Sequence, residues 1–266
     1  VTGIEGVWIE FLVRAGATAF VVIFIAWAAA RFNPLVGGIL VGLPIVLGPA
    51  FFFITLEHEP AFVAETAAGA LYSLTATQAF LAVYIIAAGR LSAVAATLAA
   101  AMAWAVTALP LAFAPHPLPA GVALFLLVTI GLRIALKRFV PASTPPASAS
   151  RWPLLVLRGV AAGLLVGAVT LAASGLGPSL AGILVSFPIG FCAILLSLNL
   201  DHGAAIATKT AYAGLVGVSS LGAFCLTLAT TAGITAPWAG FTLGLGASLV
   251  VTALCGLLMR GRPALR

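Results

Sequence analysis

Charge is what this chain has least of. Only 7% of its 266 residues are Asp, Glu, Lys or Arg, against about 25% in a soluble domain. Disorder needs low hydrophobicity and high net charge, so it is excluded too. Acid is scarcest: the chain has six Asp and Glu in all, and none sits near the middle of an apolar run. Proton- and sodium-coupled carriers usually keep an intramembrane carboxylate, because the coupling ion needs a titratable or anionic ligand. A purely carboxylate-driven antiporter is therefore disfavoured. Cysteine is also sparse. Cys192, Cys225 and Cys255 fall in three different apolar runs with no Cys-x-x-Cys spacing, so they read as small packing residues, with no metal or redox centre. No Gly-rich phosphate loop, nucleophile elbow or His-Glu-x-x-His occurs. Neither a cofactor nor an enzyme is expected. The net charge of +6 does not come with basic runs interleaved with aromatics, so nucleic acid is not an expected partner. Glu5 and Glu10 stand where a signal peptide would carry basic residues, and no such peptide is expected.

Apolar residues are what is there, at 63%. The runs are continuous and near twenty residues, the length of a membrane-crossing helix, not the short alternating segments of a membrane barrel. The fold class is therefore all-α, a polytopic transmembrane helical bundle. Nine spans can be marked, about 11–30, 35–56, 67–88, 91–113, 119–140, 153–174, 179–200, 210–233 and 238–259. The segment 141–151 (PASTPPASASR) reads as a linker.

The spans repeat. Shifted by 144 residues, Pro34-Leu-Val-Gly-Gly-Ile-Leu-Val-Gly-Leu-Pro-Ile45 falls on Pro178-Ser-Leu-Ala-Gly-Ile-Leu-Val-Ser-Phe-Pro-Ile189, with seven of twelve positions identical. The same shift pairs Arg14 with Arg158, Glu57 with Asp201, His58 with His202, and Thr66 with Thr210. Spans 1–4 thus recur as spans 6–9, and span 5 has no partner. Three parts follow: a first four-span repeat over 11–113, a connector span and linker over 114–152, and a second repeat over 153–266. Five crossings separate equivalent spans, so the two four-helix repeats are inverted, as in many secondary transporters. Charge agrees. With the start of the chain outside, eleven of twelve basic residues lie at or near the other side, while Glu5, Glu10, Glu57, Glu59 and Glu65 stay outside. The positive-inside rule then predicts an outside N-terminus and a cytoplasmic C-terminus in the cell (inner) membrane.

The unit Ala/Gly-Gly-Ile-Leu-Val-Gly/Ser-Leu/Phe-Pro-Ile, followed by an acidic-His corner, resembles the small four-helix bacterial inner-membrane proteins of the GlpM type. The likeness covers about one hundred residues twice, at 14–113 and 158–258. It departs from that family in the fusion and the added connector helix. It implies an architecture and no activity.

Spans 2 and 7 carry the candidate site. Span 2 holds Gly42, Pro44 and Gly48; span 7 holds Ser186, Pro188 and Gly190. Proline inside a helix frees a backbone carbonyl, which in lipid must meet protein or a wet cavity. Paired Gly/Pro-interrupted spans at matching positions of two repeats are the best sequence pointer to a transport site. An ordinary kink with close glycine packing is the bland alternative. Polar groups within spans are few: Thr55, Tyr72, Ser73, Thr75, Thr77, Gln78 and Tyr84 in the first repeat, and Ser186, Ser197, Asn199, Tyr212, Ser219 and Ser220 in the second. Most read as bonded to their own helix; Gln78 and Ser186 are the leading pathway-facing candidates. The corners Glu57-His58 and Asp201-His202, with Arg14 and Arg158, are gating candidates at opposite faces, or simply solvated helix ends. Glu65 and Lys209 occupy equivalent positions and are expected to begin the third span of each repeat.

The expected function is a small inverted-repeat transporter or channel moving a small solute, an anion or organic acid favoured. Its expected partners are the lipid bilayer and that solute, and a homodimer stays open. The alternative is a non-transporting membrane scaffold or assembly factor.

Overall fold

The computed structural model describes residues 47–141 and 186–260 continuously, together with Gly182–Leu184, Pro44, and single residues or short runs between positions 9 and 24 and between 156 and 164. Among the described residues the protein is all-α. Its elements are α1 (Leu47–Glu57), α2 (Pro60–Ala87), α3 (Ala93–Ala112), α4 (Leu118–Leu136) with a 3-10 turn Lys137–Phe139, α5 (Ile189–His202), α6 (Ala204–Thr231) and α7 (Pro237–Arg260). Six stretches are long and apolar enough to cross a membrane, as in a multi-pass membrane protein: Pro60–Ala87, Ala93–Ala112, Leu118–Phe139, Gly182–His202, Ala204–Thr231 and Pro237–Leu257. They correspond to spans 3, 4, 5, 7, 8 and 9. Spans 1 and 6, and the first half of span 2, lie outside the continuously described residues.

Local chemistry sets the ends. Pro60 fits the first turn of α2, where its missing N–H costs nothing. The Ser92 hydroxyl caps α3 by accepting from the Ala95 amide at 3.3 Å. Gly203, at φ +85°, turns the corner between α5 and α6 in a region that favours glycine. Two starts differ from expectation. α2 begins at Pro60 and α6 at Ala204, so Glu65 and Lys209 sit inside their helices rather than opening them. Hydropathy ends a span at its first charge, whereas a helix continues as long as its backbone bonds do.

α2 and α6 form the centre. The apolar window of α2 is 83% buried, that of α4 only 17%. α3, α4 and α7 turn large apolar side chains outward, among them Leu98, Leu127 and Leu249, which is the surface a bilayer would cover. The central pair is antiparallel. Leu71 of α2 lies beside Gly222 of α6, and Leu81 beside Gly214. α3 and α4 pack on α2, α7 packs on α6, α1 packs on α7, and α5 packs on α3 and α6. Rings tie these layers together: Phe51 meets Phe224 edge-on at 5.8 Å, and Phe52 meets Phe241 at 5.5 Å. α4 is held at both levels. Phe125 fits against Gly222, and Arg133 lies 4.2 Å over the Tyr212 ring while the Tyr212 hydroxyl donates to the Arg133 carbonyl at 2.8 Å.

Charge sorts by end. Glu57, Glu59 and Glu65 lie where α1 finishes and α2 starts, beside the end of α6 and the start of α7. Arg90, Lys137, Arg138 and Lys209 lie at the other end, where Arg90 is 5.9 Å from the Phe139 ring and α6 begins. Asp201 shares that basic end.

Candidate functional site

The helix through span 7 is interrupted at Pro188. Gly182–Leu184 are helical, Ser186 is a turn, and α5 starts afresh at Ile189. The backbone tightens before it breaks: the Ser186 amide donates to Ile183 O at 3.1 Å, and Phe187 to Leu184 O at 3.1 Å. The Ile189 amide then reaches back only to Phe187 O, at 2.8 Å, with Pro188 at φ −79° and ψ 53°. That is an inverse γ-turn centred on the proline. The first bond of the new helix runs from Cys192 N to Pro188 O at 2.9 Å. In span 2, the bond from Gly48 N to Pro44 O at 2.6 Å occupies the equivalent position. Pro44 is a buried bend and α1 follows it at Leu47.

One face of α2 serves this break. The Ser73 hydroxyl donates to Ile183 O at 3.3 Å, the Tyr84 hydroxyl to Leu195 O at 2.9 Å, and the Thr77 hydroxyl divides its proton between Ser73 O of its own helix at 3.4 Å and Ser186 O at 3.5 Å. Tyr84 also accepts from the Asn199 amide at 3.1 Å. Residue numbers rise together on both chains, so α2 and the span-7 segment run parallel. At its upper end the contact is backbone on backbone. A Cβ built on Gly182 would lie 2.4 Å from Thr66 O. Phe187, at the break itself, packs edge-on against Trp104 of α3 at 4.8 Å. Thr66 and Thr210, which the 144-residue shift of the sequence pairs, are both fully buried, and neither hydroxyl has a hydrogen-bond partner among the described residues.

The candidate residues are placed as follows. Pro44 and Gly48 are buried at the approach to and in the first turn of α1, Ser186 and Pro188 are buried at the interruption of span 7, and Gly190 is half-buried in the first turn of α5. The Ser186 hydroxyl turns to its own helix, donating to Gly182 O at 2.7 Å. Gln78 is fully buried but serves the connector: its amide N–H donates to the Thr129 hydroxyl, which itself donates to Phe125 O at 2.7 Å. Its carbonyl oxygen has no hydrogen-bond partner among the described residues. Gly42, Arg14 and Arg158 lie outside the described residues. Glu57 ends α1, and the His58 ring stacks on Phe62 at 4.1 Å. His58 opens onto a pocket of about 70 Å³ shared with Thr55, Thr231, Thr235 and Gly240. Asp201 and His202 end α5, at the opposite end of α6. The structure therefore keeps the two corners a full span apart. His116 is a loop residue, its Nε2 2.8 Å from Leu111 O and its ring edge-on to Tyr72. No group of three or more His, Cys, Asp or Glu side chains that could hold a metal ion occurs among the described residues.

Sequence reading named Ser73, Thr77, Tyr84 and Asn199 only as scattered polar groups. The available signal was spacing: residues 73, 77 and 84 share one helical face. No protein-family profile, curated protein or solved structure matches the chain.

Proposed function

We propose that the chain is a small inverted-repeat membrane transporter or channel, with a solute site between the interrupted spans 2 and 7. The observation that carries this is the interruption at Pro188, together with the same first hydrogen bond after each of the two matching prolines, Cys192 to Pro188 and Gly48 to Pro44. Interrupted helices leave backbone dipoles at membrane depth, where a solute can use them.

Two observations support the inverted arrangement. The register of α2 against α6 puts Thr75 level with Ser219, its repeat equivalent; equivalent helices that cross antiparallel at equivalent residues are what a two-fold axis in the membrane plane requires. Pro141 follows Phe139 at the basic end, whereas Gly182 touches Thr66 toward the acidic end. Opposite ends agree with the single span, span 6, that the sequence places between them. With the basic end in the cytoplasm, Glu57, Glu59 and Glu65 face outward. The likeness of each repeat to GlpM-type proteins supports the four-helix unit. A small anion or organic acid remains the favoured cargo, because the sequence has no carboxylate near the middle of an apolar run to repel it.

One observation favours a second reading. Two carbonyls at the break are already taken by Ser73 and Thr77, as a packing kink in a non-transporting scaffold would arrange them. Flux in proteoliposomes separates the two. Small anions, organic acids and pH jumps are applied to the full chain and to a folded Pro44→Ala/Pro188→Ala variant, reading both current and internal pH. Transport by the parent, lost in the variant, is expected. A well-folded parent that moves nothing across the panel leaves the scaffold reading standing.

A further inference from the structure

We infer that the groove between α3 and α4 binds an anionic phospholipid, its phosphate held by Arg90, Lys137 and Arg138 and an acyl chain lying along α2. This rests on the chain being membrane-embedded and not on transport.

α2 is the most buried of the membrane-length helices, and its neighbours account for most of its circumference. Ser73, Thr77 and Tyr84 face the span-7 segment, Leu71 and Leu81 face α6, and Gln78 faces α4. One stripe is left partly open: Ala79 and Val83 are half-buried and Ile86 is 40% exposed. Their spacing of four and three residues is one face of a helix. The next position on that face is Arg90. α3 and α4 both pack on α2, and neither makes an extensive contact with the other, so this stripe is the floor of a groove. The two flanking helices carry exposed apolar side chains, Val94 and Leu98 on α3, Ile130 and Ile134 on α4.

The basic end of the groove is closed by cations around one ring. Arg90 and Arg138 lie 5.9 and 4.9 Å from the centre of Phe139, and Lys137 begins the same 3-10 turn. All three are exposed. Arg90 donates to Ile86 O at 2.7 Å, and none of the three forms an ion pair with a described residue. Unpaired guanidinium and ammonium groups, an interfacial aromatic ring and a long apolar floor beneath them are the chemistry of a phosphodiester head with its tail. A neutral or wholly apolar occupant would leave the cations unused, and a soluble phosphate would leave the groove empty.

Native mass spectrometry of the full-length protein in detergent tests this, comparing dioleoyl phosphatidylglycerol with dioleoyl phosphatidylcholine. The parent should retain the anionic lipid about tenfold or more over the zwitterionic one. Arg90→Gln/Lys137→Gln/Arg138→Gln should abolish that preference. Ile86→Trp should weaken retention with every charge in place, and Lys209→Gln, at the same end but on α6, should change nothing. Equal retention of both lipids by the parent overturns the site, as does a preference that survives the triple variant. An equal loss with Lys209→Gln would mean diffuse surface charge. Indifference to Ile86→Trp would overturn the acyl-chain part of the site. Competition by sn-glycerol 3-phosphate at the lipid's own concentration would reduce the site to a phosphate site.

Discussion

A methyl group at position 182 has nowhere to go. Its carbon would sit 2.4 Å from Thr66 O and 3.0 Å from Ala70 N, and backbone cannot swing aside as a side-chain tip can. We expect Gly182→Ala to destabilise the protein by about 1–3 kcal/mol, read as a lowered melting temperature in detergent. Gly131 of α4 meets nothing within 4 Å, so Gly131→Ala should be neutral or stabilising by up to about 1 kcal/mol through helix propensity. If both variants melt alike, the close approach of span 7 to α2 is not as described. Gln78 and Thr129 allow a second residue-scale test. Thr129→Val strands a buried amide N–H and should cost about 1–3 kcal/mol. Gln78→Leu/Thr129→Val removes both partners and should recover most of that loss. A double variant no better than the single one would show that the pair does not interact. Glycine at 182 was legible as part of a repeated motif, but its reason was not, because Thr66 is more than one hundred residues away in sequence.

At the scale of elements, the contact that matters is the hydroxyl ladder between α2 and the span-7 segment. Its rungs differ in length. Tyr84 to Leu195 O is 2.9 Å and fully buried; Thr77 to Ser186 O is 3.5 Å. Hydrogen bonds weaken at such distances. We therefore expect Tyr84→Phe, which also removes an acceptor for Asn199, to cost about 1–2 kcal/mol, and Thr77→Val about half as much or less. Thermal unfolding of the two variants side by side checks the order, and a reversed order would mean that the carbonyl at the break depends on Thr77 after all. The interruption itself was readable, because Pro188 has no N–H to donate and Gly residues surround it. What answers the interruption was not readable. Hydroxyls at 73, 77 and 84 look like ordinary helix polar groups until a second chain segment is laid beside them.

For the molecule as a whole, the separation of charge gives the clearest expectation. Glu59 and Lys137 mark opposite ends of the bundle and both are exposed. With the native cysteines replaced, Glu59→Cys should react with a membrane-impermeant thiol reagent on intact cells. Lys137→Cys should react only after permeabilisation. Labelling of both from one side would overturn the transmembrane arrangement of α2 and α4, which both run from the acidic to the basic end, and the reverse pattern would invert the assigned orientation.

Sequence alone determined the class of this protein and the identity of its apolar helices. Both follow from local quantities: the length of an uncharged run, the place of a proline, the side on which lysine and arginine collect. Tertiary structure decided what those helices are to one another. It made α2 and α6 the buried centre and gave Gln78 to the connector helix. It set Ser73 and Thr77 against the carbonyls near Pro188, and it left Ala79, Val83 and Ile86 open toward Arg90. These are relations between residues far apart in the chain, and in an almost uniformly apolar sequence hydrophobicity cannot tell a face that meets protein from a face that meets lipid. Only packing distinguishes them, through the close fit of small residues and the pairing of the few polar groups.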